Sequence, residues 1–128
     1  MVDTLKYLKK GGRITPMAAA IGNLLKIKPV LQIRGEKLDA FAKARTVRQA
    51  GNIMLEAVRK DAELLSRTGD GSDVQIDASY TPGPGIENWL GDIMSEFPGA
   101  EIYHAPLSLS VSCHIGPGAL AVTATHKI

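Results

Sequence analysis

Apolar positions along this chain recur either every three to four residues or every second residue, and glycine and proline mark the breaks between runs. Asp3-Thr4 opens the first run, where Leu5 and Leu8 keep helical spacing until Gly11-Gly12 stop the turn. Thr15 is placed to cap a second helix whose first position is Pro16, and Ala18 to Leu25 is apolar nearly all round, the mark of a buried helix. Pro29 excludes helix, so Val30-Leu31-Gln32-Ile33 reads as a strand. A Gly35-Glu36 turn then leads into Lys37–Lys43 as the second arm of a hairpin. The longest helix spans Thr46–Leu65, with Val47, Ala50, Met54, Ala57, Val58 and Leu65 as its apolar stripe. Val74–Ala78 alternates as a half-buried strand. Ile86, Leu90, Ile93, Met94 and Phe97 mark an amphipathic helix that Pro98-Gly99 ends. Glu101–His104, Ser108–His114 and Ala119–Thr125 read as three further strands. The pattern thus predicts an α/β fold of two layers, with one mixed six-stranded sheet and about four helices on one face.

Composition narrows the function classes. A chain of 128 residues with 45% hydrophobic positions forms one domain with a real core. A formal charge of +2 is no footprint for nucleic acid, and 5% aromatics are too few for a base-stacking platform. Cys113 is the sole cysteine, which excludes an internal disulfide and agrees with a reducing cytosol. Met1-Val2-Asp3 lacks the layout of a signal peptide, and no run of about 18 apolar residues could form a transmembrane helix. The expected location is therefore cytoplasmic.

The segment Ser112 to Ala119 concentrates the candidate chemistry. Its Gly116-Pro117-Gly118 turn carries little bulk, so neighbouring amides and the His114 ring could meet an anion. The same residues also suit a plain tight turn with a histidine at a strand end. Cys113 beside His114 is no nucleophile–base pair, since adjacent strand side chains point to opposite faces, and a small buried cysteine is expected. His104, His114 and His126 match no compact metal motif, and no metal is expected. Lys9-Lys10-Gly11-Gly12-Arg13 suits helix capping and equally an anion clamp. Arg45 and Arg48 place two guanidiniums where a helix dipole disfavours them, which invites an anionic partner. Gly69–Asp73 has no calcium-loop spacing, and nothing matches a phosphate loop.

Three segments together resemble the carboxyl-terminal domain of the DegV family of bacterial fatty-acid-binding proteins. They are Leu5–Ile14 with the following Leu25–Leu31, then Lys43-Ala44-Arg45-Thr46, then His114–Leu120, and the likeness runs over essentially all of residues 1–128. The resemblance implies the second domain of a two-domain protein whose first domain is absent here, with a long-chain fatty acid held between the two. It also implies a six-stranded mixed sheet, no catalytic residues and no cofactor beyond the bound lipid. The implied partner is a fatty acid kinase subunit related to dihydroxyacetone kinase, to which the carboxylate is presented. By the same resemblance His114, Gly116, Gly118 and Arg13 surround the carboxylate, and Arg45 matches a basic position tied to kinase engagement or to the phosphorylated head group; Arg48, at the same helix start, is expected to join it in contacting the kinase. The family's hydroxyl residues that grip the carboxylate lie in the first domain. Two other readings stand beside this one: the substrate-binding domain of a dihydroxyacetone-kinase-like enzyme, and a structural or assembly domain.

Overall fold

The computed structural model describes residues 1–21 and 26–128, with Arg34 as backbone only. Along these residues run α1 (Lys6–Gly11), α2 (Pro16–Ile21), β1 (Lys28–Arg34), β2 (Lys37–Ala44) and α3 (Val47–Leu65). Then come β3 (Val74–Tyr80), α4 (Ile86–Glu96), β4 (Glu101–Pro106), α5 (Leu109–Ile115) and β5 (Leu120–His126). Local chemistry sets most boundaries where the sequence predicts them. Gly12 ends α1 in the left-handed region, at φ 66°, with its N–H closing on Lys9 O. Thr15 Oγ1 accepts from Ala18 N at the start of α2, and its hydroxyl donates to Asp39 Oδ1 at 2.8 Å, which ties α2 to β2. Thr46 Oγ1 accepts from Gln49 N at 3.1 Å to open α3. Residues 22–25, the second half of the expected small-residue helix, lie outside the described residues.

β1 and β2 form an antiparallel hairpin with an irregularity between Val30 and Leu31, which pair with Ala42 and Ala40 and leave Phe41 as the extra residue of a bulge. β3 is the centre of a second sheet, parallel to β4 through the α4 crossover and antiparallel to β5. Inward residues Val74, Ile76 and Ala78 of β3 meet Met54 and Val58 of α3 and Trp89 and Ile93 of α4 in one core. Ile76 and Ile93 are wholly buried, each contributing about 1.5–3 kcal/mol relative to exposure. A second core joins Leu5 and Leu8 around α1 with Ile14, Ala18, Ile21 and Ala119, against the hairpin residues Leu31, Leu38 and Ala40.

Three expectations are corrected. First, there are five strands among the described residues, because Ser108–His114 is not a strand. Its apolar positions 107, 109, 111, 113 and 115 alternate, yet 107, 111 and 115 also repeat every fourth residue, and a helix turns that second set onto one groove-lining face. Ser108 caps the helix, Ser112 N–H donates to Ser108 O at 2.9 Å, and Gly116 N–H closes the last turn on Ser112 O at 2.8 Å. Second, the strands form a two-stranded and a three-stranded sheet rather than one. Third, the helices are not on one face: α3 packs on one side of the hairpin and α1 and α2 on the other.

Candidate functional site

α1 and α5 pack against each other, so the Gly-Gly-Arg segment and the Gly-Pro-Gly segment meet although about a hundred residues separate them. His114 lies in the last turn of α5 with its ring against Gly11; a Cβ on Gly11 would stand 2.6 Å from His114 Nδ1. Gly116 has φ 85° and faces the Tyr7 ring, which would lie 2.5 Å from any added Cβ. Glycine is therefore required at Gly116 both by backbone conformation and by space. Arg13 is exposed just beyond α1, and its guanidinium donates to Gly11 O. His114 is exposed, and among the described residues neither ring nitrogen has a hydrogen-bond partner. An unengaged imidazole and a guanidinium therefore flank one glycine-lined surface, an arrangement that suits a carboxylate.

The loop carrying this surface is held from beneath by Thr81, which sequence reasoning missed. Thr81 is buried, donates its hydroxyl to Gly116 O at 2.7 Å, and accepts from Ala119 N at 2.9 Å. Its own N–H donates to Ala119 O, and Gly118 N–H donates to Pro82 O, both at 3.0 Å. Gly83 sits so close to Gly118 that a Cβ would lie 2.7 Å from the Gly118 Cα. The available signal was a hydroxyl residue just past β3 and directly before Pro82-Gly83-Pro84-Gly85. Gly118, at φ 74°, completes the turn next to Asp3.

Cys113 is exposed rather than buried, because it lies on helix α5 and not on a strand. Neighbouring residues on a helix do not face each other, so it still forms no pair with His114. His104 lies on β4 with its ring 6.4 Å from that of Tyr80, while His126 ends β5 beside Asp73 at 3.3 Å. The three histidines therefore stand apart, and no group of three metal-ligating side chains gathers among the described residues. Arg45 and Arg48 are exposed at the opening of α3, and no carboxylate pairs with either among the described residues. The Arg45 N–H donates to Gln49 Oε1 at 2.8 Å, so the backbone there is fixed while both guanidiniums stay free.

An apolar groove of about 500 Å³ runs between α5, the hairpin and β5. Leu107, Val111 and Ile115, the repeating stripe of α5, form one wall, while Leu31, Ile33 and Phe41 contribute to the hairpin side. Concave apolar volume beside a few polar groups is the form of a small-molecule site. No helix of the described residues is long and apolar enough to cross a membrane.

These features define an α/β domain with an imidazole and a guanidinium over a glycine-lined surface, and with an apolar groove. The chain belongs to the DegV family: the family described as "Uncharacterised protein, DegV family" matches residues 1–127. It is 30% identical over 128 residues to a DegV domain-containing protein of Streptomyces coelicolor, covering 98% of this chain and 43% of that protein. Protein DegV of Bacillus subtilis is 30% identical over 124 residues, covering 95% of this chain and 42% of that one. A DegV family protein from Thermus thermophilus, whose structure is described as fatty acid binding, superposes with TM-score 0.81 at 28% identity, over 99% of this chain and 44% of its own. Bacillus subtilis DegV, described as a fatty acid binding protein, superposes with TM-score 0.76 at 26% identity, over 99% and 43%. The chain thus spans less than half the length of these relatives.

Proposed function

We propose that this chain is the lipid-binding, carboxyl-terminal domain of a larger cytoplasmic DegV protein, holding a long-chain fatty acid together with a first domain. The observation that carries the reading is the meeting of His114 and Arg13 at Gly11, His114 lying on the helix α5 whose Val111 and Ile115, with Leu107 just before it, line an apolar groove. His114 and Arg13 bind the carboxylate, and the glycine loop lets the head group approach the backbone. The acyl tail lies along Leu107, Val111 and Ile115, where each buried methylene contributes about 0.8 kcal/mol. The solved relatives described as fatty acid binding support this ligand class.

The domain carries the lipid and performs no chemistry on it. Arg45 and Arg48, exposed and without a carboxylate partner among the described residues, suit docking to an acidic surface on a kinase subunit that phosphorylates the presented carboxylate. Native mass spectrometry of the full protein purified from cells tests the ligand: a retained fatty acid is expected. An empty protein that also fails to take up added hexadecanoate would defeat the reading.

A further inference from the structure

A second concavity lies at the end of the molecule where α3 and α4 finish. It encloses about 390 Å³ between the last turns of these helices and the start of β3, and among the described residues it shares no lining side chain with the groove. Its floor is apolar because it borders the main core. Val74 and Ile76 of β3 and Phe97 are buried there, with Ala62 and Ala100 beside them.

The rim is acidic. Glu63, Asp70 and Glu96 line it, and Arg59 is the one cation among the described residues that do so. That guanidinium is already engaged, with Nε 3.3 Å from Glu96 Oε1 and Nη1 3.8 Å from Glu63 Oε1. The longer contact leaves the exposed Glu63 carboxylate loosely held. Asp70 Oδ1 accepts from the Thr68 hydroxyl at 2.6 Å and from Ser72 N–H at 2.9 Å, which keeps this carboxylate ionised, with a pKa of about 2. Helix ends add charge of the same sign. α3 is capped by Ser66 and α4 by Phe97, and neither helix carries a cation in its last turn. Ser66, Glu96 and Phe97 all line the cavity, so the negative ends of two helix dipoles open on it.

We propose that this cavity is a binding site for a small organic amine with an apolar body. The ammonium group takes the Glu63 and Asp70 side of the rim, and the body lies on Phe97, Ala62 and Ala100. Floor and rim together select this class. A carboxylic acid meets three carboxylates and two helix ends, and Arg59 would have to leave Glu96 to pair with it. A neutral molecule gains the floor alone. A metal ion leaves the floor wet, and no group of three metal-ligating side chains gathers among the described residues. An amine with an apolar body uses both surfaces, in a cavity of the size small ligands occupy. The rim rejects the carboxylate proposed for the glycine-lined surface, so the inference stands whatever that surface and the groove bind.

Amide NMR titration tests it with three probes that share one phenylethyl body: 2-phenylethylamine, 2-phenylethanol and 3-phenylpropanoate. The amine is expected to shift the Ala62, Gly71 and Ala100 signals in one saturable process, with Val122 of the groove as an unmoved control. Its dissociation constant should lie at least about tenfold below that of the alcohol, and the acid should leave the three signals in place. Glu63→Gln combined with Asp70→Asn should bring the amine to the affinity of the alcohol. Should that double variant unfold, Glu63→Gln alone, at an exposed position, should weaken the amine several-fold. Equal constants for amine and alcohol, tighter binding of the acid, or a shift of Val122 alone would each overturn the proposal. So would unchanged affinity in the folded variants, or no shift with the amine in the tens of millimolar.

Discussion

His114 and Thr81 act at the same loop from opposite sides, and their replacements should separate binding from folding. His114 is exposed with unengaged ring nitrogens, so His114→Ala removes no internal hydrogen bond among the described residues. A hydrogen bond to a charged group contributes about 1.5–3 kcal/mol, so fatty-acid affinity of the full protein should fall at least about tenfold with the circular dichroism spectrum retained. Titration with a labelled fatty acid checks this, and an unchanged dissociation constant would remove His114 from the site. Thr81→Val keeps the shape but leaves Gly116 O and Ala119 N without their buried partner. Such a loss costs about 1–3 kcal/mol, so the melting temperature should drop by several degrees and affinity should weaken with it. A variant as stable as the parent would show that the loop holds itself.

At the scale of elements, capping and period were readable in the chain, and long-range placement was not. Thr15, Thr46 and Gly12 mark their helix ends because each acts on backbone a few residues away. Leu107 to Ile115 satisfies a two-residue and a four-residue repeat at once, and only the packing of α5 on α1 decides between them. The Gly-Gly-Arg and Gly-Pro-Gly segments were each visible as motifs, but nothing local says that Gly11 touches His114. Thr81 escaped notice because its partners lie 35 and 38 residues away.

Two predictions belong to this scale. Arg45→Glu places a carboxylate beside the positive end of α3, so the domain should be unchanged or up to about 1 kcal/mol more stable. On the proposed function, transfer to a kinase subunit should nevertheless slow, because the charge proposed for docking is reversed. Acyl-phosphate formation at the parent rate would reduce Arg45 to a solvated helix residue. The loop between α3 and β3 contributes to the acid response. The Thr68 hydroxyl and the Ser72 N–H hold Asp70 down at about pKa 2, while the Arg67 N–H with the Thr68 and Ser66 hydroxyls holds Asp73 far below its ordinary value. Both folded pKa values lie below the unfolded ones, so their contribution is complete above about pH 4 and is lost as pH falls toward 2. Asp73→Asn should flatten the fall in melting temperature between pH 4 and 2; an identical acid profile would count against this loop as a source of acid sensitivity.

For the whole molecule, the decisive fact is that the chain spans 42–44% of its relatives while matching nearly all of its own length. Two cores are complete within it, so the isolated chain should fold and unfold cooperatively. Its candidate site is less complete. His114 and Arg13 stand exposed, and Ile33 and Leu109 are each more than 80% exposed beside the groove and on α5. A carboxylate bound here keeps much of its hydration, and a tail lying in an open groove recovers part of its transfer energy. Leaving even two methylenes in water costs about 1.6 kcal/mol, more than a factor of ten in affinity. Calorimetry below the micelle concentration should therefore give the 128-residue chain at least tenfold weaker affinity for hexadecanoate than full-length Bacillus subtilis DegV under the same conditions. The exposed apolar side chains also predict concentration-dependent self-association, visible by sedimentation and reduced by Leu109→Lys. Equal affinity in the two proteins would mean that His114, Arg13 and the groove form a sufficient site, and the first domain would then have no part in holding the lipid.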